Sequence, residues 1–263
     1  MSASAGLGGT IPPRPPLVTG GLPAPPYPPG PPSGGTGPVV AVLFDMDGLL
    51  IDSEPLWLEA ERSVMARLAP GNSGWTESDQ AALLGGSLNR TVGYLLAHAA
   101  RPAPTEVVRE WLMAGICDRV RRDGVPLRPG ARELLASVEA AGLPRALVTS
   151  SERRFMDTVL ASTGMRFDVL VCAEDVSATK PDPEPYLLAA KLVEVNPARC
   201  FALEDSPNGV ASAQAAGCRV IAVPSLVPIE ATPGLLVVRS LLELTAGPGG
   251  LVVSADSGGV LGG

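Results

Sequence analysis

Two aspartates, Asp45 and Asp47, stand two positions apart at the end of the apolar run "VVAVLF" and just before a glycine. Other apolar runs hand over to polar groups in the same way. "RALVTS" leads into Thr149, Ser150 and Ser151, "CFALED" ends in Glu204 and Asp205, and Lys180 lies in the loop "SATKPDPEP" after "DVLVCA". A strand leaving the core gains nothing in packing from acids there, so their recurrence asks for a cation or a reacting anion. Carboxylates are hard oxygen ligands, and together with a lysine and hydroxyls they suit Mg²⁺, which takes carboxylates, waters and a substrate phosphate. Taken singly, each residue has a plainer role. Ser151 could cap a helix, Lys180 could form a surface ion pair, and Glu204 and Asp205 could mark an acidic helix start. The chemical reading requires the fold to bring these segments together.

The runs at 39–44, 145–150, 168–173, 200–205 and 219–224 are continuously apolar and alternate with helical patterns, which implies an α/β fold whose parallel sheet is covered on both faces. In such sheets ligands bind at the carboxyl ends of the strands, where the strand order reverses, and the acids named above occupy those ends. Leu134, Leu135 and Val138 share one helix face; Phe155, Met156, Val159, Leu160 and Thr163 share another. Ser206 followed by Pro207 reads as an N-cap with proline at the first helical position. About 100 residues separate the first two strands, far more than a crossover helix needs. Residues 54–125 read as an inserted all-helical domain, with Val108, Leu112, Ile116 and Val120 at strict i, i+4 spacing. Its connectors fall near Asp52 to Glu54 and Val125 to Pro129. The core is then 39–53 with 126–245. Residues 1–38, rich in Pro and Gly, read as a disordered tail, and 246–263 as a second loose end.

Composition removes several classes of function. Of 263 residues, 20 are Lys or Arg and 27 Asp or Glu, so a net charge of −7 offers no broad basic surface for nucleic acid. Cys117, Cys172, Cys200 and Cys218 lack metal-binding spacing and fall mostly in apolar runs, as buried reduced thiols in a cytoplasmic protein do. No apolar stretch reaches about 18 residues and no secretory leader is visible, so no membrane association is expected. The single histidine, His98, sits in "VGYLLAHAA", which leaves nothing for His-rich metal sites or for more than one triad. The proline-rich tail is similar to weak ligands of adaptor domains, although such tails are also commonly passive. A monomer is expected.

The four segments, in their order and spacing over residues 39 to about 225, resemble the motifs of the haloacid dehalogenase superfamily: "FDMDGLLIDSEP", "LVTSS", Lys180 in "KPDPEPY", and "LEDSPNG". The resemblance implies a Rossmann-like parallel sheet core with an inserted helical cap. It implies Asp45 as a nucleophile that forms an aspartyl-phosphate, and Asp47 as general acid and then base. Mg²⁺ would be held by Asp45, the Asp47 carbonyl, Asp205 and Glu204. Thr149 and the Ser150 N–H would bind a phosphoryl oxygen near Ser151, while Lys180 neutralises charge. Dehalogenating relatives lack the second aspartate, so Asp47 favours phosphate chemistry.

For the substrate, "GLLIDSEPLW" resembles the opening of phosphatases of hexose or polyol phosphates. β-Phosphoglucomutases, the alternative, carry a histidine where Trp57 stands and basic residues where Leu84 and Leu88 fall. Trp57 could stack on a sugar or pack within the helical insert; Arg90 could reach a second anion or stay solvated. A different class also remains, a catalytically silent binding module on the same fold. The expectation is a Mg²⁺-dependent phosphatase of a small phosphorylated metabolite.

Overall fold

The computed structural model describes residues 41–253 apart from 72–74, 77, 80–82, 84–87 and 248. The tail at 1–38 and Leu84 lie outside the described residues. Six strands form one all-parallel sheet in the order β3-β2-β1-β4-β5-β6: β1 (Ala41–Phe44), β2 (Arg145–Val148), β3 (Val169–Val171), β4 (Cys200–Glu204), β5 (Arg219–Ala222) and β6 (Leu235–Val237). This is the Rossmann-like α/β architecture. The first five strands lie within the expected apolar runs; β6 adds a parallel edge strand that the sequence reading did not include.

The central strand has no exposed side, which is why it reads as a continuous apolar run. Val42 and Phe44 point to a layer made by α4 (Ala131–Ala140) and α5 (Arg153–Thr163), where they join Leu134, Val138, Phe155 and Val159. Ala41 and Leu43 point the other way, to α6 (Glu184–Leu192) and α7 (Pro207–Ala215), and meet Tyr186, Ala189, Val210 and Ala213. The strand period of two thus sends alternate side chains into two cores. Ser206 caps α7 as its sequence suggested, its hydroxyl accepting from the Gly209 N–H at 3.2 Å.

Helices α1 (Glu54–Leu68), α2 (Leu88–Ala97) and α3 (Thr105–Asp123) are inserted between β1 and α4. Val108, Leu112, Ile116 and Val120 are all buried and form the stripe by which α3 packs on its neighbours, including α1 and α5. The chain enters and leaves the insertion side by side: Asp52 N–H donates to the Pro126 carbonyl at 2.9 Å, and Arg128 N–H to the Leu50 carbonyl at 2.9 Å. Among the described residues, no helix is long and apolar enough to cross a membrane. All four cysteines are buried and free, as expected.

The C-terminal end corrects the expectation of a loose segment starting at 246. β7 (Leu244–Gly247) and β8 (Gly250–Val253) pair as an antiparallel hairpin. Leu244 and Leu251 are buried in the core, β7 packs on α4, and the Ala246 N–H donates to the Ser137 hydroxyl at 3.0 Å. The glycine-rich stretch that includes Gly247, Gly249 and Gly250 masks two short strands whose apolar residues are useful only once α4 lies beneath them. Leu251→Ala should therefore cost about 2 kcal/mol or more in urea unfolding, where a dangling tail would cost under about 0.5 kcal/mol.

Candidate active site

The site follows from register. Phe44 is level with Leu147 of β2 and Leu203 of β4, so the next residues in the row are Asp45, Val148 and Glu204. β1 is the strand from which the chain turns first to one side of the sheet and later to the other, and this row lies at that switch point. Lys180, from the loop after β3, spans all three: its ammonium donates to Asp45 Oδ1 at 2.5 Å, Glu204 Oε1 at 2.6 Å and the Val148 carbonyl at 2.8 Å. Its side chain is 6% exposed, so it is no surface ion pair. Burial alone would lower its pKa, but the Asp45 and Glu204 carboxylates carry it well above the usual lysine value.

After Asp45 the chain turns sharply. Leu50 and Ile51 N–H groups donate to the Met46 carbonyl, and Gly48 takes φ +84°. A Cβ on Gly48 would collide with the Asp205 carboxylate and approach the Ser225 hydroxyl, so this glycine serves both a left-handed turn and close approach to an acid. The turn presents the Asp47 carboxylate to three hydroxyls, with Ser53 Oγ donating at 2.6 Å, Ser151 Oγ at 2.7 Å and Thr149 Oγ1 at 3.3 Å. The N-cap of α5 is Glu152, which leaves the Ser151 side chain to Asp47. Ser150 is exposed at the mouth of the same cavity.

The fourth segment completes an acidic cluster. Asp45, Glu204 and Asp205, all buried, offer carboxylate oxygens within 4.8 Å of one another. Glu204 Oε1 is committed to Lys180 and to the buried Tyr186 hydroxyl at 2.5 Å. Its carboxylate lies so close over Gly209 that any Cβ there would overlap it. Asp205 accepts from the Ser225 hydroxyl at 2.5 Å. Asp45 Oδ2 is fully enclosed and has no hydrogen-bond partner. Burial pushes the Asp45 pKa well up, opposed by Lys180 and reinforced by Glu204, Asp205 and Asp47. Burial, then Glu204, likewise raises Asp205 to about 7. Clustered carboxylates beside one lysine, with an unpartnered oxygen among them, fit a divalent cation in oxygen ligands.

These groups open into a cavity of about 370 Å³ between the sheet edge and the insertion. Asp45, Asp47, Trp57, Thr149, Ser150, Ser151, Lys180 and Asp205 all line it; Glu204 lies beneath, bonded to Lys180. Trp57 is half-buried, its ring 5.3 Å from that of Phe155, and Leu88 joins the lining. Arg90 is exposed on α2 and is not among the lining residues, so the expectation that it reaches a substrate anion finds no support in its position. His98, also exposed, stacks on Tyr94 outside the lining. Sequence reading missed Ser53, Tyr186 and Ser225. The first two stand within the quoted motifs, and Ser225 follows the end of β5, where the strand-end argument applied to a fifth strand would have found it.

The profile of the haloacid dehalogenase-like hydrolases matches residues 42–223. The chain belongs to this family. Hexitol phosphatase B of Escherichia coli (strain K12) is 38% identical over 191 residues, 71% of this chain and 84% of that protein. Hexitol phosphatase A of the same strain is 34% identical and covers 77% of this chain and 92% of its own. The crystal structure of CbbY from Rhodobacter sphaeroides in complex with phosphate superposes with a TM-score of 0.71 at 28% identity, over 78% of this chain and 96% of that one. The family match includes each of the four segments that converge on the cavity.

The raised Asp205 carboxyl has a consequence for stability. Folded, it titrates near about 7, whereas an unfolded aspartate does so near about 3.9. Between these values the folded chain keeps a proton that the unfolded chain has released, so stability is highest below about pH 4 as far as this group is concerned and falls as pH rises toward 7. In chelator, the contribution of this carboxyl should thus lower the melting temperature from about pH 5 to about pH 8 relative to Asp205→Asn. Added divalent cation should raise the wild-type melting temperature more at the higher pH. No rise in melting temperature on adding cation at either pH, measured by calorimetry, would mean that the acidic cluster holds no cation.

Proposed function

We propose that this chain is a Mg²⁺-dependent phosphatase of small sugar or polyol phosphates that works through an aspartyl-phosphate on Asp45. The observation that carries the reading is the unpartnered Asp45 Oδ2, enclosed beside Lys180 in a residue that, like Asp47, lines the cavity. The resemblance to two hexitol phosphatases supports the substrate class.

Asp45 Oδ2 attacks phosphorus, the ester P–O bond breaks, and Asp47 passes a proton to the departing alcohol oxygen. Water then attacks the phosphoryl group, Asp47 takes a proton from it, and the bond from Asp45 to phosphorus breaks to release phosphate. Asp47 must serve in both protonation states, and its three partners allow it. Hydroxyls can donate to a carboxylate or accept from a carboxylic acid without moving. Lys180 holds Asp45 in place and offsets charge gathering on the phosphoryl oxygens, and the Ser150 N–H would donate to the same oxygens. Asp45, Asp205, the Asp47 carbonyl and the less committed Oε2 of Glu204 would hold the cation, whose charge lets an anionic nucleophile approach an anionic ester. The helical insertion roofs the cavity and would exclude bulk water during transfer. Phosphosugar mutase activity draws less support, since Trp57 and Leu88 offer no charge to a distal phosphate.

Asp45→Asn should lower turnover of a sugar phosphate by more than about 100-fold while the protein stays folded by circular dichroism. Asp47→Asn should slow it by about 10² to 10⁴-fold. Phosphate release from the Asp45→Asn protein within about a tenth of the wild-type rate would rule out the covalent route.

A further inference from the structure

Glu61 is a carboxylate that the phosphoryl chemistry does not use. It lies in the middle of α1, is only 4% exposed, and yet lines the same cavity as Asp45 and Asp47. Its Oε2 is enclosed without a hydrogen-bond partner, and no salt bridge reaches it among the described residues. The buried Trp75 indole N–H comes near enough to pull its pKa down, but neither atom completes a hydrogen bond. Burial outweighs that pull and, with some help from Glu54, lifts the carboxyl to about 7. Even a closed bond to Trp75 would use one donor, while a carboxylate has about four acceptor sites. A buried carboxyl left short of donors is costly, and a natural structure keeps one where a ligand brings the missing donors.

Its place along the cavity says which part of a ligand it would meet. Ser53, Trp57 and Glu61 follow one another at i, i+4 and i+8, and all three line the cavity. Ser53 is bonded to Asp47 at the reacting end. Eight residues of helix carry Glu61 about 12 Å farther, the reach of a phosphate followed by a chain of about five or six carbons. Lys180 is the one basic group among the described lining residues, and it stays at the reacting end. Residues 72–87, some of which lie outside the described set, contain no Lys, Arg or His. A second phosphate or a carboxylate at the far end would meet like charge, with no basic residue among the described lining there to offset it.

Resting on the phosphatase reading above, we propose that Glu61 is a specificity-determining residue that accepts hydrogen bonds from hydroxyls at the far end of an uncharged polyhydroxyl chain and excludes substrates with an anionic tail. Trp57, between the two ends, covers the carbon chain.

The test compares wild type, Glu61→Gln and Glu61→Leu on sorbitol 6-phosphate, fructose 1,6-bisphosphate and p-nitrophenyl phosphate, whose ring has no hydroxyls. Both variants should lose about 10- to 100-fold in kcat/KM on sorbitol 6-phosphate, the leucine variant more. On p-nitrophenyl phosphate both should stay within about twofold of wild type, which also shows that they fold. The wild-type preference for sorbitol 6-phosphate over the bisphosphate should narrow in both. An unchanged rate on sorbitol 6-phosphate, or an equal fall on all three esters, would overturn the assignment while leaving the phosphatase reading intact. A wild-type protein that releases no phosphate from any of them, p-nitrophenyl phosphate included, would remove that reading and this inference with it.

Discussion

Lys180 holds together a group of acids that would otherwise repel one another and the core around them. Its ammonium joins Asp45, Glu204 and the end of β2 at a point where none of them is open to bulk water. One positive charge cannot balance Asp45, Asp47, Glu204 and Asp205; burial first, and then the neighbouring carboxylates, raise Asp45 and Asp205. Hydrogen bonds from Tyr186 and Ser225 reduce the cost without removing it. A buried cluster of carboxylates with this little compensation could hold a divalent cation.

The rest of the fold serves this arrangement. The parallel register brings Asp45, Val148 and Glu204 into a row, and two helical layers bury the sheet on both sides so that the row sits in a dry crevice. Glycines stand where the acids crowd the backbone: Gly48 beneath Asp205 and Gly209 beneath Glu204 leave no room for a side chain. The insertion enters and leaves beside the same crevice, so its helices, anchored by the stripe on α3, roof the reacting groups. Its inner wall brings Trp57, Leu88 and Met113 to the cavity together with a few polar groups, among them the enclosed Glu61.

Much of this was legible in the sequence because the signals are local. Acids at the ends of apolar runs, a proline after Ser206, a four-residue spacing on α3 and an overlong gap between the first two strands each follow from the chain's own chemistry. They give the sheet, the insertion and the four segments of the site without coordinates. Less legible were the features that depend on partners far along the chain. The hairpin of β7 and β8 was hidden by glycines, since its apolar residues gain meaning only against α4. Charge alone left Arg90 either reaching a substrate anion or solvated; in the fold it is exposed on α2 and is not among the cavity-lining residues.

The sequence by itself determined which groups could react, because a strand that stays buried must be apolar and can show its acids only where it ends. It could not decide which other polar side chains share that space. Ser53, Ser225 and Glu61 are an ordinary serine before a helix, a serine in a loop and one of several acids on α1 until tertiary packing fixes their surroundings. Packing directs Ser53 onto Asp47 and Ser225 onto Asp205, and it encloses Glu61 beside the cavity instead of leaving it in water. A side chain's chemistry belongs to its residue type, but its solvation and partners depend on contacts between segments distant in the chain, and those exist only in the folded structure.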